Sequence, residues 1–251
     1  MRVLKIGGNE LNDPDFLPQI ADWVAEATDR GESFVIVHGG GNNIATIQAR
    51  LGLQPKKVDG LRVTDAHSLT IAQMVLSGHI NKQIVTALLA AGVDAVGLSG
   101  VDGRLLTAAK KNHPTVDLGL VGEIVDVRTE LLTSLSERGI TAVVSPISIG
   151  QDDLIYNVNA DAAASAIALS LQADLLDFIS NVPGVLHNGQ LMPHLTAAET
   201  ETLIAQDVIK GGMIPKVRGA LTAVAQGVPR VRIVDLAGLL QTGGTIFSDE
   251  Y

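Results

Sequence analysis

The sequence predicts a three-layer αβα sandwich with a mainly parallel central sheet, on three observations. Strand-like and helix-like segments alternate along the chain, the pattern that stacks helices on both faces of a parallel sheet. Phe34-Val35-Ile36-Val37 is a continuous apolar run rich in β-branched residues, the mark of a strand covered on both sides. Glycine clusters, Gly7-Gly8 and His38-Gly39-Gly40-Gly41, directly follow the first two strand-like runs. A parallel sheet binds ligands beyond the carboxyl ends of its strands, where those clusters fall.

Taken in order, residues 3–6 read as a short buried strand. Phe16, Ile20, Val24 and Ala27 recur at helical spacing, and Gly31 stops that helix. After the strand at 34–37, helical patterns run over 44–51 and 80–90, and residues 95–98 form another strand. Residues 105–127 carry short strands interrupted by glycines and are expected to lay hairpins over one face. Buried strands return at 141–145 and 175–180, with an Ala-rich helix at 160–171 between them. Asn188-Gly189 signals a hairpin turn. Thr196 and Glu199 have capping-box spacing at a helix start. Strands at 231–234 and 245–247 finish the chain. No Pro/Gly/Ser linker, low-complexity stretch or solenoid repeat interrupts it. One domain over 1–251 is expected, with two lobes of about 1–170 and about 171–251 sharing one sheet.

Composition narrows the function. Apolar residues make up 46% of the 251 and aromatics only 3%, so the core is large and aliphatic. Eighteen basic against 27 acidic residues give a formal charge of −9, which argues against a nucleic-acid or polybasic membrane-surface partner. The absence of cysteine removes disulfides, thiolate zinc sites, iron–sulfur clusters and cysteine nucleophiles together. The apolar run at the amino terminus is too short for a signal peptide, and no stretch approaches the roughly 18 apolar residues of a membrane span. A soluble cytoplasmic protein acting on small molecules is the expectation.

The familiar phosphate motifs are absent: no G-x-x-x-x-G-K-[ST] and no helix-opening G-x-G-x-x-G occurs. Gly97-Leu98-Ser99-Gly100 resembles a nucleophile elbow but continues with Val101. The six histidines are scattered, and Asp102-Gly103 reads as a turn. Lysines beside glycines are more informative. Lys5 interrupts an apolar strand just before Gly7-Gly8, either as an exposed strand end or as a point charge for phosphate oxygens. In Gly211-Gly212-Met213-Ile214-Pro215-Lys216 a lysine opposes the helix dipole, a cost that a nearby anion would explain. Asn157-Val158-Asn159-Ala160-Asp161 opens the Ala-rich helix, as a cap or as part of a site.

Together these stretches resemble the acetylglutamate kinases of the amino acid kinase family over essentially the whole chain. The matching runs, in order, are residues 5–8, 37–41, 60–65, 78–82, 95–103, 117–123, 157–161, 180–185 and 211–216. The resemblance implies the fold of that family, shared with carbamate kinases, and transfer of the γ-phosphoryl of MgATP to the γ-carboxylate of N-acetyl-L-glutamate, the second step of arginine biosynthesis. A carboxylate is already ionised at neutral pH, so such a reaction needs no general base, only positioning and charge compensation. By similarity, Lys5 and Lys216 stabilise the transferring group, Asp161 holds the two lysines, and Gly8 and Gly40 donate backbone N–H groups to it. Gly40, Gly41, Arg62 and Asn157 would bind acetylglutamate in the first lobe, which would also carry a homodimer contact. Ser180, Asn181, Val182, Gly184, Val185, Leu186, Val208, Ile209, Lys210 and Met213 would line the nucleotide in the second. Mg²⁺ would ride on the phosphates, with no protein ligand.

One departure divides the reading. Asn181 stands where many acetylglutamate kinases have aspartate, and asparagine there is familiar from relatives that phosphorylate a carrier-protein-bound aminoadipate. Gly60-Leu61-Arg62-Val63-Thr64 points toward free acetylglutamate instead and outweighs it. A non-catalytic sensor on the same fold is disfavoured, because Lys5, Asp161 and Lys216 are all present. Arginine-inhibited members carry a helix before the first catalytic strand, whereas Lys5 is the fifth residue here. A homodimer indifferent to L-arginine is therefore expected, and Leu69, Ala72, Val75 and Leu76 read equally as a candidate contact face or as ordinary core packing.

Overall fold

A computed structural model describes residues 1–249. Eight strands form one sheet in the order His194–Leu195, Thr245–Phe247, Val231–Val234, Leu175–Ile179, Arg2–Ile6 (β1), Phe34–His38 (β2), Thr141–Ser145 and Ala95–Ser99. Every neighbouring pair is parallel except Val231–Val234 with Thr245–Phe247. Alternate residues serve opposite faces. Val3, Val35, Val37, Leu176 and Phe178 enter a core with the helices Ala160–Ser170 and Met213–Ala225. Leu4, Ile6, Ile36 and Ile179 enter a second core with Phe16–Asp29 (α1), Gly41–Arg50 (α2) and Asn81–Ala90. This is the predicted three-layer sandwich, with a continuous sheet from edge to edge.

Residues 105–127 supply one hairpin, not several: Leu106–Lys110 pairs antiparallel with Val121–Val127. It does not lie flat on a face. Ile147–Gly150 and Ile155–Val158, which the sequence pattern did not reveal, join it to close a small four-stranded barrel. The barrel wall carries Asn157 toward the carboxyl ends of the central strands. A small hairpin, Lys57–Val58 with Leu61–Arg62, leans on it through Thr64, whose amide donates to Leu118 O (3.0 Å) and whose carbonyl accepts from Leu120 N (2.7 Å). Gly119 permits that approach: its φ is +70°, and a Cβ there would strike the Thr64 carbonyl.

The candidate dimer face is corrected. Leu69, Ala72, Val75 and Leu76 lie on a helix, Ala66–Gln73, that continues through a π-helical segment, Met74–Ile80, into Asn81–Ala90. All four side chains are buried, Ala72, Val75 and Leu76 of them in the chain's own second core. Their spacing records packing within the chain, and Met74 is the exposed apolar residue between them, at 65%.

Candidate functional site

Chain connections run from β1 to β2 on one side of β1, and from Leu175–Ile179 to Val231–Val234 on the other. The crevice where such connections part is the expected ligand site of an open α/β sheet. Two adjoining cavities open there, of about 210 and about 180 Å³. Lys5, Gly8 and Gly41 line both.

The two glycine loops meet backbone to backbone. A Cβ on Gly8 would lie 3.0 Å from the Cα and N of Gly40, and one on Gly40 would collide with Ile80 and Leu76. Any larger residue at either position would part the loops, so glycine is dictated by close approach. Gly40 and Gly212 precede α2 and the helix Met213–Ala225, and neither helix has a side-chain cap. At α2 the first amides stay available to an anion, with the helix dipole in its favour. At the second helix Met213 N and Ile214 N already donate to Lys210 O (3.2 Å) and Gly211 O (3.3 Å), and Pro215 has no N–H, so that helix offers its dipole alone.

Lys5 Nζ lies 2.8 Å from Asp161 Oδ1, with Lys5 largely buried and Asp161 half exposed. Asp161 is not the helix cap. That task falls to Asn159, whose side-chain oxygen accepts from the amides of Asp161 (2.8 Å) and Ala162 (3.1 Å). Lys216, in the first turns of its helix, lines the smaller cavity with Lys5, Glu10 and Ser180. Burial pushes its ammonium below the usual lysine value; the Glu10 carboxylate works against that shift, Lys5 adds to it, and Asp161 also opposes it. The Ser180 hydroxyl is buried among these residues with no hydrogen-bond partner. A buried hydroxyl in that state suits an acceptor brought by a ligand.

The larger cavity takes Gly40, Gly41, Arg62 and Asn157 together. Arg62 is 8% exposed, and burial pushes its guanidinium below the ordinary arginine range. It donates to Gln48 Oε1 and, at 2.8 Å, to Gly41 O. Both acceptors are neutral, and among the described residues no carboxylate lies within ion-pair distance. Asn157 Nδ2 donates to Thr64 Oγ1 (3.2 Å), tying the barrel to the Arg62 hairpin.

Of the residues expected around a nucleotide, Ser180 alone lines one of these two cavities. Asn181 is exposed, Val182 is half-buried, and Gly184 is buried beside Thr245, whose hydroxyl accepts from Val185 N (2.8 Å). Leu186 is 44% exposed on the short hairpin Leu186–His187 and Gln190–Leu191. Val185 and Ile209 are each 2% exposed and belong to the first core, so their side chains are structural and only their backbones could face a ligand. Val208 and Met213 pack against that core, and Lys210 is exposed near Asp207 (3.7 Å).

Sequence reasoning missed Glu10 and Gln48. Glu10 is 9% exposed, in a short 3-10 turn after Gly7-Gly8, its carboxylate folded back over Gly7. Gln48, 2% exposed, donates to Ser68 Oγ (3.0 Å) while accepting from Arg62. A polar residue four positions after Ile44 on the apolar stripe of α2 was the readable signal.

Comparison with known proteins identifies the family and the fold. The model of the amino acid kinase family matches residues 1–235. An acetylglutamate kinase of Roseiflexus castenholzii is 49% identical over 247 residues, spanning 98% of this chain and 94% of the relative. One of Methanopyrus kandleri is 41% identical over 254 residues, spanning 98% and 99%. Among solved structures, a protein of Streptococcus mutans UA159 superposes with a TM-score of 0.82 at 30% identity, covering 99% of this chain and 98% of that one. An N-acetylglutamate synthase of Neisseria gonorrhoeae, complexed with coenzyme A and N-acetyl-glutamate, gives 0.86 at 26% identity over 100% of this chain and 59% of its own. Carbamate kinase from Giardia lamblia, 16% identical with a TM-score of 0.69, shares the fold.

Proposed function

The chain belongs to the amino acid kinase family, and from that premise we propose that it phosphorylates the γ-carboxylate of N-acetyl-L-glutamate with ATP, the second step of arginine biosynthesis. The observation that carries the reading is Arg62, a buried guanidinium with only neutral partners, facing the cavity whose other wall holds Lys5 and Asp161. An unpaired buried cation favours an incoming carboxylate, and arginine can take one bidentately. Acetylglutamate offers two: one for Arg62, and one extending toward the glycine loops.

In this reading the smaller cavity receives the phosphates, with Lys5 and Lys216 neutralising the transferring group. The carboxylate oxygen attacks the γ-phosphorus, the bond to ADP breaks, and an acyl phosphate forms; no proton changes hands. The amides of Gly8 and Gly40 and the open N-terminus of α2 stabilise the equatorial oxygens. Asp161 orients Lys5 without entering the chemistry. Residues 1–170 hold the acceptor and 171–251 the nucleotide. Mg²⁺ supplies charge compensation between phosphate oxygens when bound. Glu10 and Asp161, the carboxylates near the phosphates, suit a cation carried in by the nucleotide, since Asp161 already pairs with Lys5.

The assembly proposed is a cytoplasmic homodimer, with exposed Leu51 and Met74 as apolar surface for a contact in the amino-terminal half. Light scattering reads the mass. No helix among the described residues is long and apolar enough to cross a membrane. The decisive experiment measures ADP release with N-acetyl-L-glutamate, traps the acyl phosphate as a hydroxamate with hydroxylamine, and repeats both with carrier-bound aminoadipate. Hydroxamate from free acetylglutamate is expected. Product from the carrier-bound acceptor alone would move the function to lysine synthesis.

A further inference from the structure

Three stretches of the sequence, 37–41, 78–82 and 95–103, meet in one buried network that the proposed chemistry leaves unused. Asn81 is fully buried at the start of its helix. Its Nδ2 donates one proton to Val143 O at 2.9 Å and the other toward Leu98 O at 3.3 Å, with His38 Nε2 also 3.3 Å from the same nitrogen. Its Oδ1 accepts from Lys82 Nζ at 2.9 Å, and Lys82 also donates to Gly97 O at 3.2 Å. Gly97 makes room for the pair: a Cβ there would collide with Asn81 Oδ1 and lie 2.5 Å from Lys82 Nζ.

The network fixes a tautomer. Backbone carbonyls only accept, so the Asn81 amide must present Nδ2 to Val143 and Leu98; an Nε2–H on His38 would oppose those amide protons, so Nε2 is the bare nitrogen and shares the proton aimed at Leu98. Nδ1 then carries the proton and donates to Gly39 O at 3.1 Å. His38 is wholly buried, and burial holds the ring neutral, its pKa lowered to about 4 with Lys82 assisting and the Gly39 carbonyl opposing.

The Gly39 carbonyl shares one planar trans peptide with the Gly40 N–H, and the two point in opposite directions. Holding that oxygen therefore aims the Gly40 amide. Two bonds anchor the flanks: Gly39 N donates to Ile6 O (2.9 Å), and Gly40 O accepts from Ile44 N (3.1 Å). The peptide between them has His38 as its side-chain clamp. We propose that His38, locked as the Nδ1–H tautomer by Asn81, is a positioning residue that fixes the Gly39–Gly40 peptide so that the Gly40 N–H faces the transferring phosphoryl group. The inference rests on the proposed function, which places that group against this loop.

The test combines kinetics with two readouts that need no acceptor substrate: the imidazole nitrogen resonances of His38 and the hydrogen-exchange rate of the Gly40 amide. In ¹⁵N-labelled protein, Nε2 should resonate as the unprotonated nitrogen. His38→Leu, of similar volume, should lower kcat by about 10–100-fold, the cost of a small misplacement at a reacting centre. The KM values for both substrates should hardly move, and Gly40 exchange should accelerate. His38→Asn, which keeps an N–H near the position of Nδ1, should recover most of the lost rate. Lys82→Met changes only an exposed side chain; by freeing the Asn81 amide it should cause a smaller loss of kcat and faster Gly40 exchange. A protonated Nε2 would overturn the proposal. So would a His38→Leu enzyme that loses thermal stability while kcat and Gly40 exchange stay at wild-type values. Should that variant not fold, unchanged kcat and exchange in Lys82→Met would overturn it. If the wild type shows no acetylglutamate kinase activity, the resonance and exchange results still stand, so the two readings fail separately.

Discussion

Lys5 Nζ and Asp161 Oδ1, 2.8 Å apart, join the central strand of the sheet to the first turn of the helix Ala160–Ser170 at the passage between the two cavities. Lys216 approaches the same passage without a carboxylate at ion-pair distance among the described residues. The two lysines therefore differ: one is held by a carboxylate of the protein itself, and the other is left to a partner that a ligand would bring.

That difference predicts the effect of removing Lys216. Lys216→Ala should lose about 2.7–4 kcal/mol of transition-state stabilisation, the usual cost of deleting a donor aimed at developing charge, or roughly a 100- to 1000-fold fall in kcat. The KM for acetylglutamate should stay close to wild type, since Lys216 lines only the nucleotide-side cavity. Steady-state rates with the acceptor varied at saturating ATP check it. A variant with near-normal kcat would remove Lys216 from the mechanism.

Arg62 gives the complementary result. Arg62→Lys keeps the charge but loses the fork that reaches Gln48, Gly41 and a carboxylate together. The KM for acetylglutamate should rise at least tenfold, the factor equivalent to about 1.4 kcal/mol of lost binding. ATP affinity, read by calorimetry, should be unaffected. Equal losses for both ligands would place Arg62 outside the acceptor site.

The pattern of what the sequence disclosed has a physical basis. The central strands and their glycine loops were legible because burial on both faces writes a continuous apolar run, and close backbone approach demands glycine. Lys5 and Lys216 stood out as charges where an apolar strand and a helix dipole disfavour them. Ile147–Gly150 and Ile155–Val158 were not legible, since four-residue strands in a small barrel carry too few alternations to separate them from loop. Ala72, Val75 and Leu76 left two readings open because an apolar stripe looks alike whether it meets the chain's own core or a second subunit; the structure places them in the core. Glu10 gave no periodic signal at all, as its burial arises from the fold-back of a single turn over Gly7.

Glu10 and Lys216 together should set the alkaline limit of activity. Burial lowers the Lys216 pKa, so the free enzyme should lose activity on the alkaline side sooner than an exposed lysine would dictate. Glu10 favours the charged form, so Glu10→Gln should move the alkaline limb of kcat/KM, which reports the free enzyme, to lower pH. The acid limb should stay in place. An alkaline limb that does not move, or that moves upward, would separate Glu10 from Lys216.

His38 makes stability depend on pH in a window above that of the carboxylates. Its pKa is about 4 in the folded chain against 6.5 for the ordinary imidazole, so the unfolded state binds the extra proton first. The contribution is complete above pH 6.5, drains as pH falls toward 4, and is flat below. From these two values, acidification from pH 7 to pH 5 should remove about 2 kcal/mol of unfolding free energy through this one ring. The carboxylates held below their usual range, such as Asp65 and Asp174, add their losses at lower pH. Urea unfolding at pH 7 and pH 5 should show that loss in the wild type and its absence in His38→Leu, which has no ring to protonate. Equal losses in both proteins would mean that His38 is already charged in the fold or open to water, and would break the hydrogen-bond chain from Asn81 to Gly39.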